Sequence, residues 1–322
     1  MTVVSNDPSW WPTINFDILI SYWLVATAFV VVYDWILTLP QEIDLIWTQR
    51  WSLMTVLYLV IHYVGIPFSI ASILEITTFA SLTDAAPHND SIGNIIIYAV
   101  NGTNVIVTAM LGVIMIARLH AMYQRSRRML IFLVIIFLAV NITCGVITII
   151  GLKHDSVSEE FILSGIHMCG DGYEGDTQLL ISMVWMLNTV WEVLALCLSI
   201  WIAAKHFRDL RRLGPLTGST IGDCFKVLLE SHVLYFASFA GVSCLQLVNL
   251  SPEVQSSNSA AAEILDGVME ILWSVQMFVV GPRLILSVRQ YHAKLVAGSD
   301  AETSMNSIVF QERVHVQTSS TV

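Results

Sequence analysis

Residues 129–151 read MLIFLVIIFLAVNITCGVITIIG, and no charged side chain interrupts them. A bilayer core about 30 Å thick is crossed by a helix of roughly 20 apolar residues. The stretch has that length, and it is bounded by Arg127 and Arg128 on one side and by Lys153 on the other. It therefore predicts a transmembrane helix with basic residues at both ends.

Similar stretches on both sides of this one predict an all-α, polytopic membrane protein with a seven-helix bundle. The predicted spans are residues 16–37, 52–76, 95–117, 129–151, 179–203, 225–250 and 264–287. The composition agrees, because 55% of the residues are hydrophobic and 12% are charged, whereas soluble domains carry about 25% charged residues. Residues 1–15 are then an N-terminal segment, and residues 291–322 are a tail without fixed structure.

The basic residues predict the orientation of the bundle. All of the 15 Lys and Arg residues except Lys153 lie on one side of the seven-span pattern. Lys and Arg in short flanking loops stay in the cytosol, whereas Asp and Glu have little influence. We therefore expect the N-terminus outside and the C-terminus in the cytosol. The formal net charge of -10 does not indicate a nucleic-acid partner, and we expect a multi-pass protein of the plasma membrane rather than of internal membranes.

Polar and ionisable residues inside the spans are the candidates for a ligand pocket. A charge there costs about 2.5 to 3.5 kcal/mol on insertion scales, so it usually faces the bundle interior with a partner. Glu192 lies deepest, and Asn188 precedes it by one turn on the same face of span five. His62 is predicted to face Glu192 across the bundle, and Glu270 to line an outward vestibule. For Glu192 and His62 the alternative is a structural, hydrogen-bonded role, and for Glu270 the alternative is an interfacial residue in contact with water.

Arginines at the cytosolic ends of the spans are the second group of candidates. They are candidates for contact with a cytosolic signalling partner or with anionic lipid. Arg118 in addition has two interpretations, since it either reaches Glu230 on span six or extends to lipid phosphate. The arginines of this group are Arg118, Arg125, Arg127, Arg128, Arg211 and Arg212.

Two connections between predicted spans have a character of their own. Residues 33–47 mix apolar side chains with Asp34, Glu42 and Asp44, and this mixture predicts an amphipathic segment along the cytosolic interface, held there by tryptophans. Residues 152–178 are rich in acids and glycines, and we expect them to form a loop on the outer side.

The first of these connections carries a family motif. Its elements are Tyr33-Asp34-Trp35, Leu37-Thr38-Leu39, Glu42-Ile43, Ile46-Trp47 and Trp51-Ser52-Leu53. With this motif the chain resembles a large basidiomycete family of seven-span membrane proteins catalogued as a domain of unknown function. Residues 118–123, Glu192 and Gly281-Pro282-Arg283 fit the same family. The resemblance covers residues 16–291 and implies the seven-span topology, but the family carries no established activity.

Motifs of better-known seven-span classes are missing. The topology is that of G-protein-coupled receptors, yet span three ends in Ala117-Arg118-Leu119 instead of Asp-Arg-Tyr, and span seven lacks Asn-Pro-x-x-Tyr. Span seven has no Lys for a retinal Schiff base. Only His62 and His232 lie within spans, which is too few for a zinc hydrolase. We therefore expect no enzyme, no metal and no cofactor.

Three function classes are compatible with these observations. The sequence favours a receptor-like sensor of a small or lipidic ligand, because no internal repeat of the kind found in many transporters is visible. A small-molecule or ion transporter that uses Glu192 is the first alternative. A structural membrane protein, with the lipid bilayer as its partner, is the second.

Overall fold

Long α-helices dominate the computed structural model, which describes residues 2–5, 7–48, 51–81, 89–123, 126–154, 159–163, 166–170, 175–212, 220–255, 260–290 and 293. The helices are α1 (Trp11–Glu42), α2 (Leu53–Ser81), α3 (Asn89–Met122), α4 (Arg127–His154), α5 (Gly175–Arg212), α6 (Thr220–Asn249), the short α7 (Pro252–Gln255) and α8 (Ala260–Val275). A π-helical segment, Gln276–Val280, follows α8 directly. The chain then continues as a helix to Gln290, and the prediction of an all-α bundle is confirmed.

The long helices close into a ring. Each of them packs against its neighbours in chain order, and α8 returns to α1 to complete the circuit, while α3 also reaches α5 across the interior. The centre is filled by large buried side chains, among them Tyr58 and Ile61 of α2, Ile114 and Leu119 of α3, and Phe278 after α8. The first and last helices are therefore held together by tertiary packing.

Apolar side chains also cover the outside of the bundle, for example Ile131, Ile135 and Ile142 of α4, which are all well exposed. A soluble monomer rarely exposes so continuous an apolar surface. Six helices of the described chain are long and apolar enough to cross a membrane, and a shorter apolar helix is found at Val233–Asn249. The six are Ile14–Trp47, Leu53–Leu74, Ile95–Met122, Arg127–Gly151, Gln178–Lys205 and Ala260–Gln290. The protein is thus a multi-pass integral membrane protein.

The first connection differs from its prediction. Helix α1 does not end near residue 37 but continues to Glu42, and a π-helical segment, Ile43–Trp47, extends it further. Asp34 is 5% exposed and Glu42 is 0% exposed, so both acids are buried in the bundle and do not lie on the polar face of an amphipathic surface segment. Of the three acids in this connection, only Asp44 is exposed. The helix extends because side chains of the bundle bind both carboxylates, as described below.

A small three-stranded sheet lies at the end of the bundle where α4 ends and α5 begins. Its strands are β1 (Thr2–Ser5), β2 (Glu159–Leu163) and β3 (Ile166–Gly170). Strand β2 is central, parallel to β1 and antiparallel to β3, with Phe161 opposite both Val3 and Met168. The predicted outer loop, residues 152–178, therefore contains a β-hairpin, and α5 begins at Gly175.

Candidate functional site

A cavity of about 660 Å³ lies inside the bundle between α3, α4, α5, α6 and α8. It extends from the sheet-proximal end of the bundle, where Gly151 and Asn249 line it, down to Met115 and Glu192. Its size falls within the roughly 300–1,000 Å³ of ordinary small-molecule pockets. Its wall is unusually polar for the interior of an apolar bundle, with side chains of Asn101, Asn104, Asn141, Asn188, Glu192, Ser243, Gln246, Asn249, Asp266, Glu270 and Gln276.

Three of the four predicted pocket residues meet in this cavity. Asn188 and Glu192 line it from α5, where their spacing of one turn places both on the same face. Glu270 lines it from α8, which is separated from α5 by α6 and α7 in the chain. The structure thus brings Asn188, Glu192 and Glu270 to one space, and it does so through two helices that are distant in sequence.

Glu192 is only partly satisfied by its neighbours. The Ser243 hydroxyl on α6 donates a hydrogen bond to its carboxylate. The other carboxylate oxygen, Oε2, is buried and has no hydrogen-bond partner among the described residues. A buried polar group without a partner is costly, and a charged one more so. The carboxylate therefore has capacity for a further donor inside the cavity.

Other polar atoms in the wall share this property. Gln276, which is 7% exposed, has its Oε1 buried without a partner, and Asn104 has its Oδ1 in the same state within the described chain. Trp191 has an unpaired Nε1 and is a donor. Native structures leave few such groups unpaired, so the wall of this cavity has hydrogen-bonding capacity for water or for a ligand.

A hydrogen bond closes one side of the cavity near the sheet. Asn249 at the end of α6 donates through Nδ2 to Oδ1 of Asp266 on α8, at 2.6 Å. The sequence alone did not predict this pair. The signal was weak, because Asn249 is the last residue of α6 and Asp266 lies in the first half of α8, and polar side chains are common near helix ends.

His62 is not among the residues that line the cavity. It is 3% exposed, and its Nε2 lies 3.3 Å from Oε2 of Glu42. Its ring stacks on Tyr58, with 5.1 Å between the ring centroids, and on Trp35, with 6.5 Å. The structure therefore pairs His62 with Glu42 and not with Glu192.

Glu42 is the centre of a second polar group, at the opposite end of the bundle from the sheet. Trp47 Nε1 donates to its Oε1 at 2.9 Å, and Tyr63 donates to the same oxygen at 3.0 Å. Tyr58 donates to Oε2 at 3.3 Å. We call the group formed by Trp35, Glu42, Trp47, Tyr58, His62 and Tyr63 the Glu42 cluster.

Sequence reasoning missed the Glu42 cluster because it placed Glu42 at the membrane interface. A signal was present, since Tyr58, His62 and Tyr63 lie on one predicted span, and each brings a polar group into an apolar helix. Such groups need partners in a membrane. The acids nearest to these residues in the sequence are Glu42, Asp44 and Glu75.

The predicted arginines are found in different situations. Arg118 donates through Nη2 to the Leu284 carbonyl at 3.3 Å, so it joins α3 to the helical segment after α8. Arg127 and Arg128 are exposed at the start of α4. Arg125 lies outside the described residues, as do the side chains of Arg211, Arg212 and Glu230, so the predicted contact between Arg118 and Glu230 has no described geometry.

The helical segment after α8 binds the first connection. Arg283 forms an ion pair with Asp34. Arg289 donates to the Leu45 carbonyl at 2.9 Å and to Ser52 Oγ at 3.1 Å. One continuous helical stretch, residues 260–290, therefore contacts both the cavity and the surroundings of the Glu42 cluster.

Comparisons with known proteins add a family of unknown function, DUF6533, which matches residues 22–67. Every residue of the Glu42 cluster falls within the matched segment, and so does Asp34. The chain is similar to that family over this segment. Neither a curated protein nor a solved structure matches the chain, and in the described part of the chain no group of three or more His, Cys, Asp or Glu side chains is placed to hold a metal ion.

Proposed function

We propose that the protein is a receptor-like sensor of a small or lipidic ligand, which binds in the cavity and is reported at the opposite end of the bundle. The observation that carries this proposal is the set of buried, unpaired polar atoms in the cavity wall, with Glu192 Oε2 as the carboxyl oxygen among them. An empty cavity would be apolar, whereas a polar cavity of this size holds water, which a ligand with matching polar groups can displace.

Helix contacts give the proposed signal a route. Glu270 and Gln276 line the cavity, and the same helical stretch later contacts Asp34 through Arg283. The π-helical segment Gln276–Val280 begins at one of these cavity residues and ends shortly before Arg283. It is a local irregularity of a kind often found at functional sites. A ligand that shifts this segment would therefore also move the first connection, which carries the Glu42 cluster.

The orientation and partners belong to the same proposal. With α6 as a seventh span, the distribution of Lys and Arg places the sheet outside and the Glu42 cluster in the cytosolic half. The exposed Arg127 and Arg128 are then available to a cytosolic signalling partner. We propose a plasma-membrane location, a basidiomycete origin in keeping with the resemblance of residues 33–53, and no enzymatic activity.

Blocking the cavity tests whether it binds a ligand. Gly145 lines the cavity, and a Cβ at this position would have no atom within 4 Å, so Gly145→Leu fills empty space. Gly102 is exposed, does not line the cavity and has equally open surroundings, so Gly102→Leu is the matched control. A chemically diverse library is screened for thermal stabilisation of the protein in lipid nanodiscs. We expect compounds that stabilise the wild type and Gly102→Leu but not Gly145→Leu.

A second measurement separates the function classes. Fluorophores at Ser126 and Arg208, both exposed at the proposed cytosolic end, report a change in distance when a stabilising compound is added. A sensor changes this distance without carrying the compound across a liposome membrane. Net uptake into liposomes would instead establish the transporter. The sensor proposal fails if Gly145→Leu binds every compound as the wild type does, or if the distance does not respond.

A further inference from the structure

The acidic side chains in the cavity wall indicate the class of ligand, an inference that rests on the proposed function. Glu192, Asp266 and Glu270 line the cavity, whereas no Lys, Arg or His is among the described residues that line it. A cationic group beside a buried carboxyl favours the charged form of that carboxyl, so such a wall selects ligands of positive charge. Anionic ligands, such as fatty acids and phosphates, are disfavoured by the same residues.

Hydrogen-bonding capacity gives an independent argument. Three of the unpaired atoms in the wall are acceptors, namely Glu192 Oε2, Gln276 Oε1 and Asn104 Oδ1, and Gln276 is 7% exposed. An ammonium group has three donors and no acceptor. It therefore matches both the charge and the hydrogen-bonding needs of this wall, which a neutral alcohol does only in part.

Aromatic rings complete the chemical description. Trp185 and Trp273 line the cavity with ring centroids 6.2 Å apart, and Phe137 and Trp191 do so at 5.3 Å. Such faces bind apolar ligand bodies and attract cations through their ring electrons. The wall therefore has an apolar, aromatic part in addition to its acids.

We propose that the cavity binds a protonated amine carried on an apolar body. The ammonium pairs with the Glu192 carboxylate, Gln276 and Asn104 provide further acceptors, and the apolar body packs on the tryptophans. The amine is either a soluble arylalkylamine that enters from the sheet side or a long-chain amine from the bilayer. Both kinds of amine carry the same ammonium group and would bind at the same site. The experiment below distinguishes them.

Matched probes test the charge. Tryptamine is compared with tryptophol, its neutral analogue, by calorimetry on the protein in nanodiscs. Dodecylamine and dodecanol, added to the nanodisc lipid, form the long-chain pair, and their binding is measured as displacement of tryptamine. The wild type is expected to bind at least one amine about 10- to 100-fold more tightly than its alcohol, the range for a hydrogen bond to a charged group.

Two charge-removing variants locate the effect. Glu192→Gln keeps the shape of the side chain and is expected to abolish the preference for the amine. Asp44→Asn removes an exposed acid outside the cavity and should leave the preference unchanged. The amine that is favoured, short or long-chain, identifies the source of the ligand.

Several outcomes overturn the proposal. Equal affinity for amine and alcohol in both pairs refutes it, and this comparison uses the wild type alone, so it does not depend on the folding of Glu192→Gln. A preference that persists in Glu192→Gln refutes the role of that residue. In either case the proposed sensor function stands if Gly145→Leu still blocks other compounds, and it falls separately if Gly145→Leu blocks none.

Discussion

Glu42 is fully buried and accepts hydrogen bonds from Trp47, Tyr58 and Tyr63, while His62 Nε2 lies 3.3 Å away. A carboxylate in an apolar interior is tolerated only when donors replace its water. Here the donors come from the π-helical segment and from α2. Glu42 therefore fixes the rotation of α2 about its axis relative to the end of α1.

Replacement of Glu42 by leucine tests this residue. Glu42→Leu leaves the surrounding donors without an acceptor, and we expect a loss of about 1–3 kcal/mol in the free energy of unfolding, the cost of leaving a buried hydrogen-bonding group unsatisfied. Denaturation in mixed micelles measures it. Asp44→Leu, at an exposed position on the same segment, is expected to change stability by less than about 0.5 kcal/mol. Equal stabilities for the two variants would contradict the role of Glu42.

At the scale of helices, the contact between α1 and α8 depends on a missing side chain. A Cβ on Gly267 would lie 2.2 Å from Cδ1 of Trp23, so the indole occupies the space above the glycine. A similar contact joins α3 and α4, where a Cβ on Gly112 would lie 2.2 Å from Phe137. Small residues allow such close approach of helices in membranes. These two glycines therefore set the helix spacing.

A larger side chain at Gly267 should separate α1 from α8. Gly267→Leu forces the Trp23 ring out of its place, and we expect destabilisation of about 1–3 kcal/mol, the usual cost of overpacking. Gly241→Leu is the control, because Gly241 is exposed and a Cβ there would have no atom within 4 Å. Thermal unfolding of both variants measures the difference. Unchanged stability of Gly267→Leu would show that the ring moves at no cost.

At the scale of the whole molecule, the two polar groups lie at different depths and are joined by one helical stretch. The cavity reaches the sheet-proximal end of the bundle, and the Glu42 cluster lies near the opposite end. Residues 260–290 line the cavity through Glu270 and Gln276, and they contact the surroundings of the Glu42 cluster through Arg283 and Arg289. This arrangement allows a change in the cavity to reach the far end without any contact between the two groups themselves.

The proposed orientation of the chain in the membrane can be tested by labelling its two termini. An epitope at the N-terminus should be labelled on intact cells, and one at the C-terminus only after permeabilisation, because Lys and Arg retain their flanking loops in the cytosol. A variant with Arg125, Arg127 and Arg128 replaced by asparagine should show mixed labelling. Labelling of the C-terminus on intact cells carrying the wild-type chain would reverse the proposed direction of signalling.

The sequence predicted part of the candidate site. Asn188 and Glu192 were placed together because helical periodicity alone puts them on one face. Glu270 was a candidate because an acid in an apolar span usually faces the interior. The Ser243 contact, the Asn249–Asp266 hydrogen bond and the partner of His62 were not predicted, since each joins two helices whose relative rotation is not encoded in the periodicity of either helix.

The sequence by itself determined the membrane class, the approximate spans and the ionisable residues that must avoid lipid. These follow from the length and polarity of single segments, which are local properties. Only the tertiary structure decided that α1 continues to Glu42, that His62 pairs with this residue and not with Glu192, and that an open polar cavity remains between five helices. The physical reason is that partner choice inside a bundle depends on helix spacing and rotation, which close contacts such as Trp23 on Gly267 set between segments far apart in the chain.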